Sequence, residues 1–133
     1  MPGIDNLDLP NNVRPDLTPY LIHLTKEHPD SSAMENLASI LKDGVIRGTH
    51  RLLGKREAAC FIDVPFIALK YICSQHNQGR YEPYGLIVEK TTAYEKGARP
   101  VLYLSKHERQ MLGITEEKTP DELWRLVDCN THL

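Results

Sequence analysis

Cysteine is scarce in this 133-residue chain and badly placed for cysteine chemistry. Cys60, Cys73 and Cys129 stand far apart, and no Cys-x-x-Cys pair offers a zinc knuckle or a thiol–disulfide motif. Cys60 and Cys73 lie in apolar stretches, which predicts small buried thiols and a reducing compartment. Histidines paired as His-x-His or His-Glu-x-x-His are missing too, so no metal site is written in the sequence. An excess of charge is lacking: 16 Lys and Arg face 18 Asp and Glu, a formal net charge of -2. That balance supplies no whole-molecule attraction for nucleic acid or an acidic membrane. No apolar run approaches the length that spans a bilayer, and the N-terminus carries neither the basic nor the apolar region of a signal peptide. These absences predict a cytoplasmic chain with no metal and no membrane or nucleic-acid partner.

What is present is enough for one core. Hydrophobic residues at 41% and charged residues at 26% are globular proportions, and the length needs no staples. Pro10, Pro15 and Pro19 deny helical continuity to residues 1–19, predicting an extended N-terminal arm ahead of one domain over 20–133. Tyr20-Leu-Ile-His-Leu-Thr25 alternates as a strand, with Leu21, His23 and Thr25 on one face. Ser32 and Glu35 have capping-box spacing, Met34, Leu37, Ile40 and Leu41 recur at helical intervals, and Gly44 supplies the stop.

Val45 to Ala59 reads as a long loop or irregular strand, and Ala58 to Ile62 as a short buried strand. Asp63 is placed to cap a second helix with the stripe Phe66, Leu69, Ile72 and Cys73. Further strands are predicted at Leu86–Glu89 and Pro100–Leu104, a short helix or turn at 91–96 closed by Gly97, and a short helix after the Ser105/Glu108 capping box. Glu122 to Val127 fits helix or strand. Short strands alternating irregularly with short helices predict an α+β fold, a small mixed or antiparallel sheet with short packing helices.

Several phrases occur in an order that resembles the AbiGi-like abortive-phage-resistance proteins. They are Pro19 to Thr25, Leu37 to Ile46, Cys60-Phe-Ile-Asp-Val-Pro-Phe66, Tyr84 to Lys90 and Gly97 to Tyr103, a pattern covering roughly residues 13 to 127. The first two also resemble the opening of the ADP-ribosyltransferase-like fold, including the DarT group. There a strand bearing His-x-Thr precedes a helix that ends in Gly and an apolar pair. The resemblance implies a prokaryotic phage-defence or prophage-associated domain, of toxin–antitoxin character, that takes NAD as substrate. It places a ribose-binding imidazole at His23, an assisting hydroxyl at Thr25 and a nicotinamide-stacking aromatic at Tyr71. It also calls for a late acidic residue, for which Glu122 in Glu122-Leu-Trp-Arg125 is the comparable carboxylate. Without a clearer C-terminal acidic motif, the activity is either lacking or completed by a partner.

The residues themselves leave blander readings open. His23 serves equally as a satisfied structural histidine, and imidazoles in general both donate and accept near neutral pH. Arg47, His50, Arg51, Lys55 and Arg56 are the densest basic cluster. They read either as a solvated loop or, with Gly48 and Gly54 allowing close backbone approach, as a phosphate grip built on Arg47, Arg51 and Lys55. The spacing matches no P-loop or Rossmann fingerprint. Tyr81, Tyr84, Tyr94 and Tyr103 are candidates for a pocket or an interface. The rival to a nucleotide-binding enzyme is an antitoxin- or inhibitor-like module that acts by docking on a protein partner; the sequence leaves homo-oligomerisation open.

Overall fold

Apolar residues alternating from Tyr20 form the first strand of the computed structural model, which describes residues 18–49, 52–53, 56–74 and 81–128. The predicted arm lies outside these residues except for Thr18 and Pro19. Among the described residues the fold is mixed, with two small two-stranded sheets and short helices, in keeping with the α+β expectation. The described chain forms two compact bodies: residues 18–38 with Phe61–Thr91, and Ser39–Cys60 with residues 92–128.

In the first body, β1 (Tyr20–Leu24) pairs antiparallel with β2 (Gly85–Glu89), His23 facing Leu86 and Ile22 facing Ile87. Residues directly opposite share a face, and successive residues alternate. One face therefore carries Tyr20, Ile22, Leu24, Gly85 and Ile87; the other carries Leu21, His23, Leu86 and Val88. On the far side of β1, Ile22 and Ile62 exchange backbone hydrogen bonds of 3.0 and 2.7 Å. Ile22, held between two neighbours, is only 2% exposed.

The helix α1 (Ala33–Asp43) begins as its spacing predicts. Glu35 accepts from the Ser32 amide at 2.8 Å while the Glu35 amide donates to the Ser32 hydroxyl at 3.2 Å. Gly44 ends it at φ +66°, its amide donating to Ile40 at 2.8 Å. A 3₁₀ turn at Phe66–Ala68 leads into α2 (Leu69–Ile72). Its N-cap is Pro65, without a side-chain cap bond, so the expected Asp63 cap does not form. The Asp63 carboxylate instead ion-pairs with Lys90 at 2.7 Å.

The second body is built on a parallel pair, β3 (Leu102–Leu104) beside β4 (Leu126–Asp128). Parallel strands need a crossover, and the chain supplies one through α4 (Lys106–Met111) and a 3₁₀ turn at Asp121–Leu123. The ambiguous stretch at 122–127 thus holds turn and strand in succession. Leu53, Ile114 and Leu126 form the core, with Leu104 and Leu123 against it. A further short helix, α3 (Lys90–Glu95), is closed by Gly97 at φ +102°.

The capping box of α4 is complete: Ser105 accepts from the Glu108 amide at 3.2 Å, and Glu108 accepts from the Ser105 amide at 2.7 Å. Hydrogen bonding to Ser105, chiefly by its backbone amide and then by its side chain, holds the Glu108 carboxyl below its ordinary pKa. A lowered folded pKa stabilises α4 above the ordinary carboxylate range, and that contribution is lost as pH falls through the folded value. Ser105→Ala removes the side-chain bond and keeps the amide, so it is expected to move the Glu108 titration only part of the way back up and to weaken protection of the α4 amides, read by NMR titration and hydrogen exchange.

Candidate functional site

His23 sits at the centre of β1, half-buried, on the face away from Ile22. Alternation about the Ile22–Ile62 bridge turns Phe61 and Asp63 to that same face. The Phe61 and His23 rings accordingly lie 5.5 Å apart at 55°, a tilted pair within the range of favourable aromatic contact. The local grouping is an imidazole, a phenyl ring and, two residues along, a carboxylate neutralised by Lys90.

Thr25 ends the same row of side chains, but its hydroxyl is already engaged. It is buried, donates to the Ala33 carbonyl at 2.8 Å and lies 3.1 Å from the Tyr84 carbonyl. Its single proton is spent on backbone acceptors, which tie the end of β1 to the start of α1 and the approach to β2. In this position Thr25 fixes the strand that carries His23.

Tyr71 is not brought to His23. The α2 residues Leu69 and Lys70 and the C-cap Cys73 lie over the opposite face of the sheet, where with Ile22, Leu24, Gly85 and Ile87 they line an apolar hollow of ≈310 Å³. Tyr71 is 66% exposed, with the Lys70 ammonium 4.9 Å from its ring centroid. On this side Tyr20 stacks on Phe66 at 5.7 Å. The Cys73 thiol, partly buried at the hollow, has its pKa raised by desolvation. Cys60 is exposed and not the buried thiol predicted, because the run from Ala58 to Ile62 makes only isolated bridges at its two ends.

The remaining candidates belong to the second body. Arg47 is exposed, and Arg51 and Lys55 lie outside the described residues. The basic loop is not simply solvated: Thr49 and Ala58 exchange backbone hydrogen bonds of 3.0 and 3.1 Å, and Leu52 and Leu53 are buried. The Leu53 amide donates to the Leu126 carbonyl at 2.9 Å, pinning the middle of the loop to β4. Arg56 is ion-paired with Asp121. The small size of Gly48 serves this bridge, since a Cβ there would come within 2.8 Å of the Ala58 amide nitrogen. Glu122 is exposed in its 3₁₀ turn, its carbonyl accepting from Arg125 at 3.2 Å.

No family model, curated protein or solved structure matches this chain. The geometry therefore carries the functional reading. Among the described residues no helix is long and apolar enough to cross a membrane, and no group of three His, Cys, Asp or Glu side chains could hold a metal ion. The residue that sequence reasoning missed is Phe61, the ring beside His23. No local signal finds it: Phe61 comes across from the imidazole only through the pairing of Ile62 with Ile22.

Proposed function

We propose that the first body is a nucleotide-binding unit of ADP-ribosyltransferase-like type that receives NAD on the His23 face of its sheet. The observation that carries the reading is the His23–Phe61 pair on a half-buried strand face. The imidazole supplies hydrogen bonding for a ribose hydroxyl, the phenyl ring an apolar wall for a planar base, and Thr25 a rigid strand end. The resemblance in motif order to AbiGi-like proteins supports a cytoplasmic, phage-defence setting.

Binding is better provided for than turnover. Breaking the ribose–nicotinamide bond sends the electron pair out with nicotinamide and leaves positive charge on the ribose, which a nearby carboxylate stabilises. On the His23 face that carboxylate is Asp63, whose charge Lys90 already balances. Glu122 belongs to the other body.

Calorimetric titration with NAD tests the reading. Wild type should give a measurable heat, and His23→Ala should weaken affinity about tenfold, the value of one lost hydrogen bond of about 1.4 kcal/mol. Equal, negligible heats from both proteins would remove it.

A second reading, docking on a protein partner, is favoured by the other face. Ile87 is exposed at the apolar hollow, Phe66, Ile67 and Tyr71 are exposed along the stretch that supplies Leu69 and Lys70 to its lining, and grouped apolar exposure marks interaction surfaces. A partner-binding role predicts the silent NAD titration.

A further inference from the structure

The hollow on the face opposite His23 is a trough that runs along the strands. Alternation into and along β2 sets Pro83, Gly85 and Ile87 in one row, and Ile22 and Leu24 form the facing row on β1. Four residues of extended chain separate Pro83 from Ile87, a length of roughly 13 Å. The middle of that row is a glycine, so no side chain interrupts the floor between its two ends. Leu69, Lys70 and Cys73 supply the rest of the lining from α2 and its C-cap.

Charge in this lining has one sign. Lys70 is the only charged residue that contributes to it. Among the described residues the ion pairs are Lys90 with Asp63 and Arg56 with Asp121, so no carboxylate there is spent on Lys70. Its ammonium lies 4.9 Å from the Tyr71 ring centroid, an exposed cation–π contact of the weaker kind, which a carboxylate replaces at small cost. Desolvation raises the pKa of Cys73, so the thiol stays neutral and nothing in the lining repels an anion.

Volume sets the size of an occupant. An apolar cavity of about 150 Å³ takes a benzene ring. At ≈310 Å³, about twice that, the trough has room for a chain of about ten carbons with its head group. Its length along the strands favours an extended chain over a compact ring system, and Lys70 favours an acid at the end of that chain.

We propose that this trough binds a straight-chain aliphatic monocarboxylate of about ten carbons, its tail along the Pro83–Ile87 row and its carboxylate on the Lys70 ammonium. The site is independent of the nucleotide reading, because it lies on the face away from His23, and it needs no protein partner.

Calorimetric titration of the full chain with decanoate, kept below the concentration at which it forms micelles, tests the assignment. Decanoate should bind. Butyrate, with the same head and a much shorter tail, should give no heat, since each buried methylene is worth about fourfold in affinity. Lys70→Gln should weaken decanoate binding by about five- to tenfold and leave the binding of decanol, which has no charge, unchanged. Lys70 is exposed, and circular dichroism checks that the variant keeps its fold. The place of binding is read from the thiols: decanoate should slow alkylation of Cys73 in step with saturation and leave exposed Cys60 unaffected. If Lys70→Gln unfolds, the protection of Cys73 in wild type still decides. No heat from decanoate in wild type overturns the proposal. So does decanoate binding that Lys70→Gln leaves unchanged, or binding that leaves Cys73 as reactive as before.

Discussion

Leu126→Ala is expected to cost the β3–β4 body about 2–5 kcal/mol of stability. Leu126 is fully buried, touches the Leu53 and Ile114 core, and stands opposite Leu102 in the parallel pair. Truncation removes transfer free energy and leaves a cavity, and the site has little freedom to collapse. Its backbone is fixed twice, by pairing with β3 and by the hydrogen bond from Leu53. Domains of this size are stable by only about 5–15 kcal/mol, so the loss is a large share of the total. Urea denaturation followed by Trp124, the sole tryptophan, reads it directly. Met111→Ala, at a residue 75% exposed, should change stability by no more than about 0.5 kcal/mol. A Leu126→Ala loss no larger than the Met111→Ala value would mean the core is not centred where the packing puts it.

The same substitution bears on the basic loop. Leu52 and Leu53 are buried between flanking basic residues, so a looser Leu126 should loosen the segment that carries them. The first body, centred on Ile22, should keep its own melting behaviour if the two bodies unfold separately.

What could be read from the sequence was local. Strand β1 is announced by alternation from Tyr20, and α1 and α4 by Ser-x-x-Glu spacing, because the atoms that make a capping box lie within four residues. Gly44 and Gly97 close their helices at positive φ for the same reason: the constraint belongs to one residue. The errors came where a partner is remote. Asp63 has the composition of a cap, but its carboxylate meets Lys90, a residue far along the chain and brought near by β2. Cys60 lies in an apolar run that never becomes a continuous strand. The placement of the candidate residues follows the same division. The strand face that His23 occupies was legible from alternation. Which face carries the hollow was not legible, because that depends on where α2 lands. Tyr71 was drawn into the site by the chemistry of its side chain, yet α2 covers the opposite face. Phe61 was overlooked because its meeting with His23 depends on the register of Ile22 with Ile62.

Gly85→Ala is expected to destabilise the first body by about 3 kcal/mol, at the upper end of the overpacking range. A Cβ built on Gly85 falls 2.4 Å from the His23 carbonyl oxygen and 3.0 Å from Leu24 Cδ2. The first of these is a backbone atom with no rotamer to yield, so relief must come from parting β1 and β2 at one end of their ladder. That movement acts on the Thr25–Tyr84 hydrogen bond, the next pair along, and on the buried hydroxyl that ties β1 to Ala33. It also displaces the strand segment that presents His23. The consequence is a split that a surface glycine would not show: a lower denaturation midpoint together with weaker NAD binding, although residue 85 faces away from the imidazole. Chemical denaturation and the NAD titration, run on the same Gly85→Ala sample at a temperature where it remains folded, measure both. Unchanged stability would mean that β1 and β2 do not approach as closely as the register requires. A loss of stability with wild-type NAD affinity would separate the strand contact from the His23 face.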